Sequence, residues 1–219
     1  MSLKEQTERL KNDVLERMPQ PIVQNFLNDI NQLRVDKIKE TSLDVGDTIP
    51  NGNFKNIQNE DVQLSHFHTS DYLILNFYRG GWCPYCNMEL REYEKLKDDF
   101  DKISTQIVSI SAEQANLANE TSQKNVLTHA VLTDVDAKFM KQLGIVFALS
   151  EDAKRNFKGF GMDFTQIHGN ENYELPVPAV YVLDSNFKVV FKHFEEDYMT
   201  RLEPSELLTI IKNLNNEKR

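Results

Sequence analysis

One run of ten residues, Phe77-Tyr78-Arg79-Gly80-Gly81-Trp82-Cys83-Pro84-Tyr85-Cys86, limits what this chain can become more than any other. It holds both cysteines of the chain, with two residues between them. Upstream, Tyr72-Leu73-Ile74-Leu75-Asn76-Phe77 has the length and aromatic content of a buried strand. Downstream, Leu90, Tyr93 and Leu96 are spaced as on one face of a helix. The pattern therefore reads strand, glycine-rich turn, then a helix beginning on the cysteines. Cys83 falls near the N-cap, and Pro84 suits the first helical position, where its missing N–H costs nothing. Such an end points unpaired N–H groups and the positive end of the helix dipole at the thiol. A thiol placed there ionises more easily and becomes a nucleophile.

Two thiols at this spacing can close a disulfide across the first helical turn and exchange two electrons with a thiol donor. Against a peroxide, one thiolate attacks the O–O bond and becomes a sulfenic acid, which the second thiol resolves. Against a disulfide, the same thiolate forms a mixed disulfide and its neighbour releases it. The spacing is also half of a zinc site. With no second C-x-x-C, His66 and His68 are the nearby ligands left for that alternative, a zinc-binding or non-catalytic scaffold. Arg79 and Arg91 are candidates to favour the thiolate by charge. Trp82 and Tyr85 read as an apolar rim for a partner, although Trp82 equally suits packing.

The Trp82-Cys83-Pro84-Tyr85-Cys86 segment on a strand-to-helix turn resembles the thioredoxin-superfamily active site. The wider 77–90 segment resembles the peroxiredoxin-like branch of the alkyl hydroperoxide reductase/thiol-specific antioxidant (AhpC/TSA) family, and glutaredoxins share the Pro84-Tyr85 dipeptide. The resemblance implies a thioredoxin-like α/β fold and a thiol-dependent oxidoreductase that reduces hydroperoxides through Cys83 and Cys86. It implies no cofactor, and a thioredoxin- or glutathione-type thiol as reductant. The alternative substrate is a protein disulfide. It also implies that Pro178, in Val177-Pro178-Ala179, is the cis-proline lying beside the cysteines, so that Arg79, Trp82, Tyr85 and Pro178 line the substrate position. Two positions depart from typical peroxiredoxins. Pro178 stands where they carry an arginine that steadies peroxide, and Cys83 stands where they carry a threonine. Both departures pull toward a disulfide reductase.

The order of attack has two answers. Alignment on Cys-Pro-Tyr-Cys makes Cys83 the nucleophile, whereas alignment on Phe77-Tyr78 and Cys86-Asn87-Met88-Glu89 makes it Cys86. Physical argument favours Cys83. At the N-cap it can accept from the N–H of Tyr85 or Cys86, while Cys86 lies one turn in, desolvated and facing Glu89. For this dipeptide a potential roughly between −270 and −200 mV is expected.

The rest of the chain fits one domain with an extension. A net charge of −9 argues against a nucleic-acid partner. The first residues interleave Lys4, Arg9, Lys11 and Arg17 with Glu5, Glu8, Asp13 and Glu16, so no signal peptide is expected. No apolar run reaches the roughly 20 residues of a membrane span, and a cytoplasmic protein is expected. Residues 1–42 read as a helical extension, broken at Met18-Pro19-Gln20-Pro21, whose apolar stripe either docks on the domain or joins a homodimer. Residues 43–219 read as the redox domain: β-hairpin, β, α, β, α, β, α, insertion, β, β, α, which predicts a central sheet with helices on both faces. The helix near 113–124 is polar and expected at the surface. The least regular part, 148–174, reads as an aromatic-anchored lid or cover. His129, His168 and His193 carry no motif and are expected to be ordinary surface or loop residues.

Overall fold

The computed structural model describes residues 1–217. Three helices lead the chain: α1 (Leu3–Arg17), α2 (Gln20–Val35) and α3 (Ile38–Thr41). A short pair follows, β1 (Asn53–Asn56) and β2 (Asp61–Gln63), then β3 (Tyr72–Phe77), α4 (Pro84–Asp101), β4 (Thr105–Ser111), α5 (Ala115–Asn125), β5 (Ala130–Thr133) and α6 (Lys138–Gln142). The remainder is β6 (Val146–Ala148), α7 (Glu151–Gly159), α8 (Phe164–His168), β7 (Glu174–Pro176), β8 (Ala179–Asp184), β9 (Val189–Phe194) and α9 (Pro204–Glu217).

Seven strands form one mixed sheet in the order β2-β1-β5-β4-β3-β8-β9, with β6 and β7 a separate pair. β3 and β4 run parallel, as do β4 and β5, while β8 lies antiparallel to β3. This places β3 in the middle, and all six of its residues are buried. Alternate side chains explain its near-continuous apolar run. Leu73, Leu75 and Phe77 enter a core with Phe139, Met140, Leu143, Leu33 and Ile38. Tyr72 and Ile74 enter a second core on the other face, with Tyr93 and Phe100 of α4 and Leu207, Leu208 and Ile211 of α9. The sheet is thus covered by helices on both faces, the expected thioredoxin-like arrangement.

The leading segment is part of this packing. Ser2 and Glu5 form a reciprocal capping box that starts α1. Leu3 and Ile30 are 0% and 2% exposed, and Ile30 shares a cluster with Tyr78, Cys83 and Cys86. The apolar stripe of residues 1–42 is therefore engaged within the chain. Segment 148–174 is more regular than its glycines suggest. It carries α7 and α8, capped by Ser150 and Asp163, and Phe157 and Phe164 anchor a cluster of their own. α5 differs from the expected surface helix: Ala115, Ala118, Thr121, Ser122 and Asn125 are buried. Its hydroxyl and amide groups made it read as polar, yet they serve as internal hydrogen-bond partners. No helix among the described residues is long and apolar enough to cross a membrane.

Candidate active site

The strand β3 ends at Phe77, and the chain turns through Tyr78-Arg79-Gly80-Gly81-Trp82 before α4 begins. The two glycines are required by the turn. Gly80 has φ +146°, and a Cβ there would meet the Trp82 indole nitrogen at 2.3 Å. A Cβ on Gly81 would meet Thr121 Oγ1 at 1.9 Å. The Cys83 N–H donates to Gly80 O (3.0 Å), closing the turn onto the helix start. Asn87 Nδ2 then donates to the carbonyls of Gly81 (2.7 Å) and Cys83 (2.9 Å), and Asn125 Nδ2 donates to Asn87 Oδ1 (2.7 Å). Beneath the turn the Gly81 N–H donates to Glu113 Oε1 (2.8 Å).

Cys83 occupies the N-cap and Pro84 the first helical position, as expected; the Cys83 side chain makes no close capping bond, although the Cys86 N–H is near enough to help lower the thiol. Both sulfurs are sealed, at 1% and 0% exposure for Cys83 and Cys86. Burial alone would raise both thiols. For Cys83 the hydrogen bond from Cys86 and the charges of Arg79 and Arg201 overcome it and bring the thiol down from 9.0 to about 6. Burial and the neighbouring Cys83 charge push Cys86 well up. The pair thus gives up one proton easily and keeps the other. Two donors are aimed at the Cys86 sulfur: Arg201 Nη2 (3.4 Å) and the Arg79 N–H (3.5 Å).

The two arginines are balanced differently. Arg201 Nε donates to Glu89 Oε2 at 2.8 Å, both side chains being 2% exposed, and its Nη1 donates to Tyr198 O and Thr200 O. Burial works against the Arg201 charge, but Glu89 and the two sulfurs outweigh it and hold the group protonated. Burial raises Glu89 to about 7 against the pull of Arg201, with the Cys86 charge adding to the rise. Arg79 is 3% exposed, yet among the described residues no carboxylate lies within ion-pair distance of it. Its Nε has no hydrogen-bond partner. Its guanidinium instead lies over Tyr198 (4.0 Å to the ring centre) and Trp82 (4.9 Å). Its charge acts on the Cys83 thiol and on Asp29.

The expected rim is covered. Trp82 packs edge-to-face on Phe157 (5.5 Å) of α7 and Phe164 (5.2 Å) of α8, and Tyr85 is 4% exposed and packs on Tyr198. Segment 148–174 covers Trp82, and the 195–203 loop covers Tyr85. Pro178 is buried, and the β3–β8 register, extended by one residue, sets it opposite Tyr78 beside the turn. Its peptide bond is trans rather than the expected cis, as are all described peptide bonds. Val177 N–H bonds Ile145 O at 2.8 Å as the chain enters from β7, and trans is the isomer an X–Pro bond favours by about 0.5–1 kcal/mol where nothing enforces cis. Arg91 lies outside the site: it is exposed and donates to Asn125 Oδ1.

Sequence reasoning missed Arg201, Tyr198, Asn87 and Glu113, and read Glu89 only as a repulsive charge. Arg201 lies 115 positions beyond Cys86, in a loop with no motif. Signals did exist nearer the pair: an asparagine and a glutamate one and three residues past Cys86, where helical spacing turns them inward. His66 and His68 are not brought to the cysteines. His68 Nε2 bonds Asp184 O (2.6 Å) near the opposite end of β3, and no described cluster of three or more His, Cys, Asp or Glu could hold a metal ion.

The remaining histidines correct the expectation of surface residues. His129 is buried, its Nε2 on Ser109 Oγ (2.9 Å) and its Nδ1 on Glu94 Oε2 (2.8 Å). Ser109 is 0% exposed on β4, so the group ties α4 to the sheet rather than meeting a substrate. His168 is buried at the end of α8, where burial lowers it to about 4, and His193 is half-buried on β9.

The family model described as the AhpC/TSA family matches residues 45–192. The 1-Cys peroxiredoxin PER1 of Hordeum vulgare is 24% identical over 119 residues, which cover 51% of this chain and 54% of that protein. The chain thus spans about half the length of the curated relatives it matches. Among solved structures, peroxidoxin BcpB from Mycobacterium tuberculosis superposes with a TM-score of 0.60 at 16% identity, covering 78% of this chain and 97% of that one. Reduced Prx3 from Vibrio vulnificus gives 0.61 at 18% identity, covering 77% and 99%. At these identities the structures establish the fold.

Proposed function

This chain belongs to the AhpC/TSA family, and we propose that it is a thiol peroxidase whose redox pair is Cys83 and Cys86. One observation carries the reading. The pair is a buried dithiol with one thiol brought down to about 6, framed by two guanidiniums. The Cys83 thiolate attacks one peroxide oxygen and the O–O bond breaks. Arg79 and Arg201 face the charge that develops on the leaving oxygen, so the stabilisation grows along the reaction. The resulting sulfenic acid condenses with the Cys86 thiol, water leaves, and the disulfide closes. Arg201 thus supplies from the 195–203 loop the cation missing at Pro178. A thioredoxin- or glutathione-type thiol returns the two electrons.

Burial selects the substrate class. A small hydroperoxide needs little room, whereas a protein disulfide must bring its own backbone to sulfurs that are 1% and 0% exposed. The Vibrio vulnificus structure is described as a complex with hydrogen peroxide, which supports the same substrate class. The reduced protein is expected to consume hydrogen peroxide and an organic hydroperoxide faster than it reduces insulin. The reverse order sinks the peroxidase reading in favour of a disulfide reductase.

A second assignment of the attacking sulfur rests on the two donors aimed at Cys86, Arg201 Nη2 and the Arg79 N–H. Alkylating the Cys83→Ser and Cys86→Ser variants with iodoacetamide across pH separates the two. If the variant keeping only Cys86 reacts at the lower pH and still consumes peroxide, Cys86 is the nucleophile.

A further inference from the structure

The peroxidase chemistry leaves one proton unassigned. Starting from a pair that carries one thiolate and one thiol, cleavage of the O–O bond yields an alkoxide or hydroxide that must be protonated. The only other proton of the pair leaves with the water formed on disulfide closure. Resting on the peroxidase reading above, we propose that Glu113 is the buried proton carrier that supplies this proton through Tyr78. As the thiolate charge is consumed, Glu113 becomes the carboxylate.

The geometry fits this role. Glu113 is 2% exposed and lies directly beneath the active-site turn, its Oε1 accepting the Gly81 N–H at 2.8 Å. Its Oε2 meets only hydroxyls, Thr121 Oγ1 at 3.3 Å and Ser111 Oγ at 3.5 Å, and it belongs to no ion pair among the described residues. A buried carboxyl with hydroxyl partners and no cation keeps its proton until a nearby negative charge is removed. The Tyr78 hydroxyl is buried beside Ser111 and Glu113, feels the charges of Glu113 and Cys86, and its ring shares a cluster with both cysteines. It is the group available to hand the proton on. Burial raises Glu113 to about 7, and a charge on Cys86 would add to the rise, so the carboxyl is linked to the Cys86 side of the pair. The other charged and titratable groups around the turn are Arg79, Cys83, Glu89, Arg201 and the neutral His168 of α8.

The balance closes. Thiolate and hydroperoxide give sulfenic acid and alkoxide. The Glu113 carboxylic acid and the alkoxide give carboxylate and alcohol. Sulfenic acid and the second thiol give disulfide and water. One negative charge enters and one remains, so the net charge of the buried site is the same in both redox states. Reduction by two external thiols restores one thiolate, one thiol and the carboxylic acid. The bookkeeping is the same whichever cysteine attacks.

The test is the pH dependence of the dithiol midpoint potential, measured in thiol/disulfide buffers on the wild type and on Glu113→Gln. Between pH 6 and 7, the window set by the Cys83 and Glu113 values, the wild type is expected to take up two protons per two electrons and Glu113→Gln one. Infrared difference spectra of the wild type alone, reduced minus oxidised, are expected to show a protonated carboxyl band in the reduced form only. Equal proton uptake in both proteins, or no carboxyl band, overturns the proposal while leaving the peroxidase reading intact. Two thiols that never couple overturn both.

Discussion

Helix α4 presses two buried polar clusters against the sheet, and they are built to opposite plans. Toward its middle, Glu94, His129 and Ser109 form a closed chain in which both imidazole nitrogens are bonded. At its start, the cluster around the cysteines leaves Arg79 Nε, Trp82 Nε1 and Tyr85 Oη buried without partners, and Arg79 without a carboxylate in ion-pair distance. Buried polar groups are normally satisfied, because leaving one bare costs about 1–3 kcal/mol. The first cluster obeys that rule and holds the helix to the sheet. The second breaks it several times over, and the groups that feel the Arg79 charge include the Cys83 thiol and Asp29. Incomplete satisfaction separates the reactive end of the helix from the structural part.

Four measurements would break or sharpen this contrast. The largest effect is expected at the sulfurs: Cys83→Ser and Cys86→Ser should each lower peroxide turnover on the order of 10³-fold or more, while His129→Asn leaves it unchanged in steady-state assays. Next comes Arg201→Met, which strands Glu89. It should cost about 3–5 kcal/mol in urea unfolding and on the order of 10²-fold in turnover. The Arg201→Met/Glu89→Met double variant should recover most of the stability and none of the rate. If stability and rate recover together, Arg201 is only a structural partner of Glu89.

Glu94→Gln or His129→Asn should cost about 1–3 kcal/mol without moving the pH profile of cysteine alkylation. A profile that moves would join the two clusters into one. The smallest effect is a difference in pH window. The Cys83 thiolate, depressed from 9.0 to about 6, contributes stability that is full above pH 9 and lost as pH falls through 6. Burial opposes the Glu94 charge, but hydrogen bonds from His129 and Thr128 bring it from 4.5 to about 2, so its contribution is full above pH 4.5 and lost as pH falls through 2. Glu89 and Glu113, raised from 4.5 to about 7 by burial, run the other way: their contribution is present below 4.5 and lost as pH rises through 7. The stability difference between wild type and Cys83→Ser should therefore grow from pH 6 to 9, and that between wild type and Glu94→Gln should not.

Local pattern carried much of this. The apolar run 72–77 reads as an internal strand and Cys83-Pro84 as a helix start, so the strand–turn–helix frame of the site is legible in the sequence. The helices α7 and α8 were not, because Gly159, Gly161 and Gly169 sit at or beyond their ends and hide short, aromatic-anchored turns inside a loop-like composition. The trans bond before Pro178 was also out of reach, since whether anything enforces cis there is decided by tertiary packing that no local motif announces. Arg201, Tyr198 and Glu113 escaped for the same reason. Arg201 and Tyr198 reach the turn from the β9–α9 loop and Glu113 from the β4–α5 loop, and only tertiary closure brings them together.

Trp82, wedged edge-on between Phe157 and Phe164, also sets a clock. Of the five residues from Trp82 to Cys86, only Pro84 is exposed, so a solute meets ring and proline before sulfur. If peroxide reaches the sulfurs only when those three rings part, the observed second-order rate is the product of that opening frequency and the intrinsic reactivity of the thiolate. A variant with a looser ring contact, such as Phe157→Leu, would then react faster with peroxide at an unchanged thiol acidity. The same variant would also react faster with every indiscriminate electrophile. In such a molecule the ring stack governs exposure time, and exposure time decides how much of the sulfur's reactivity is spent on peroxide and how much on bystanders.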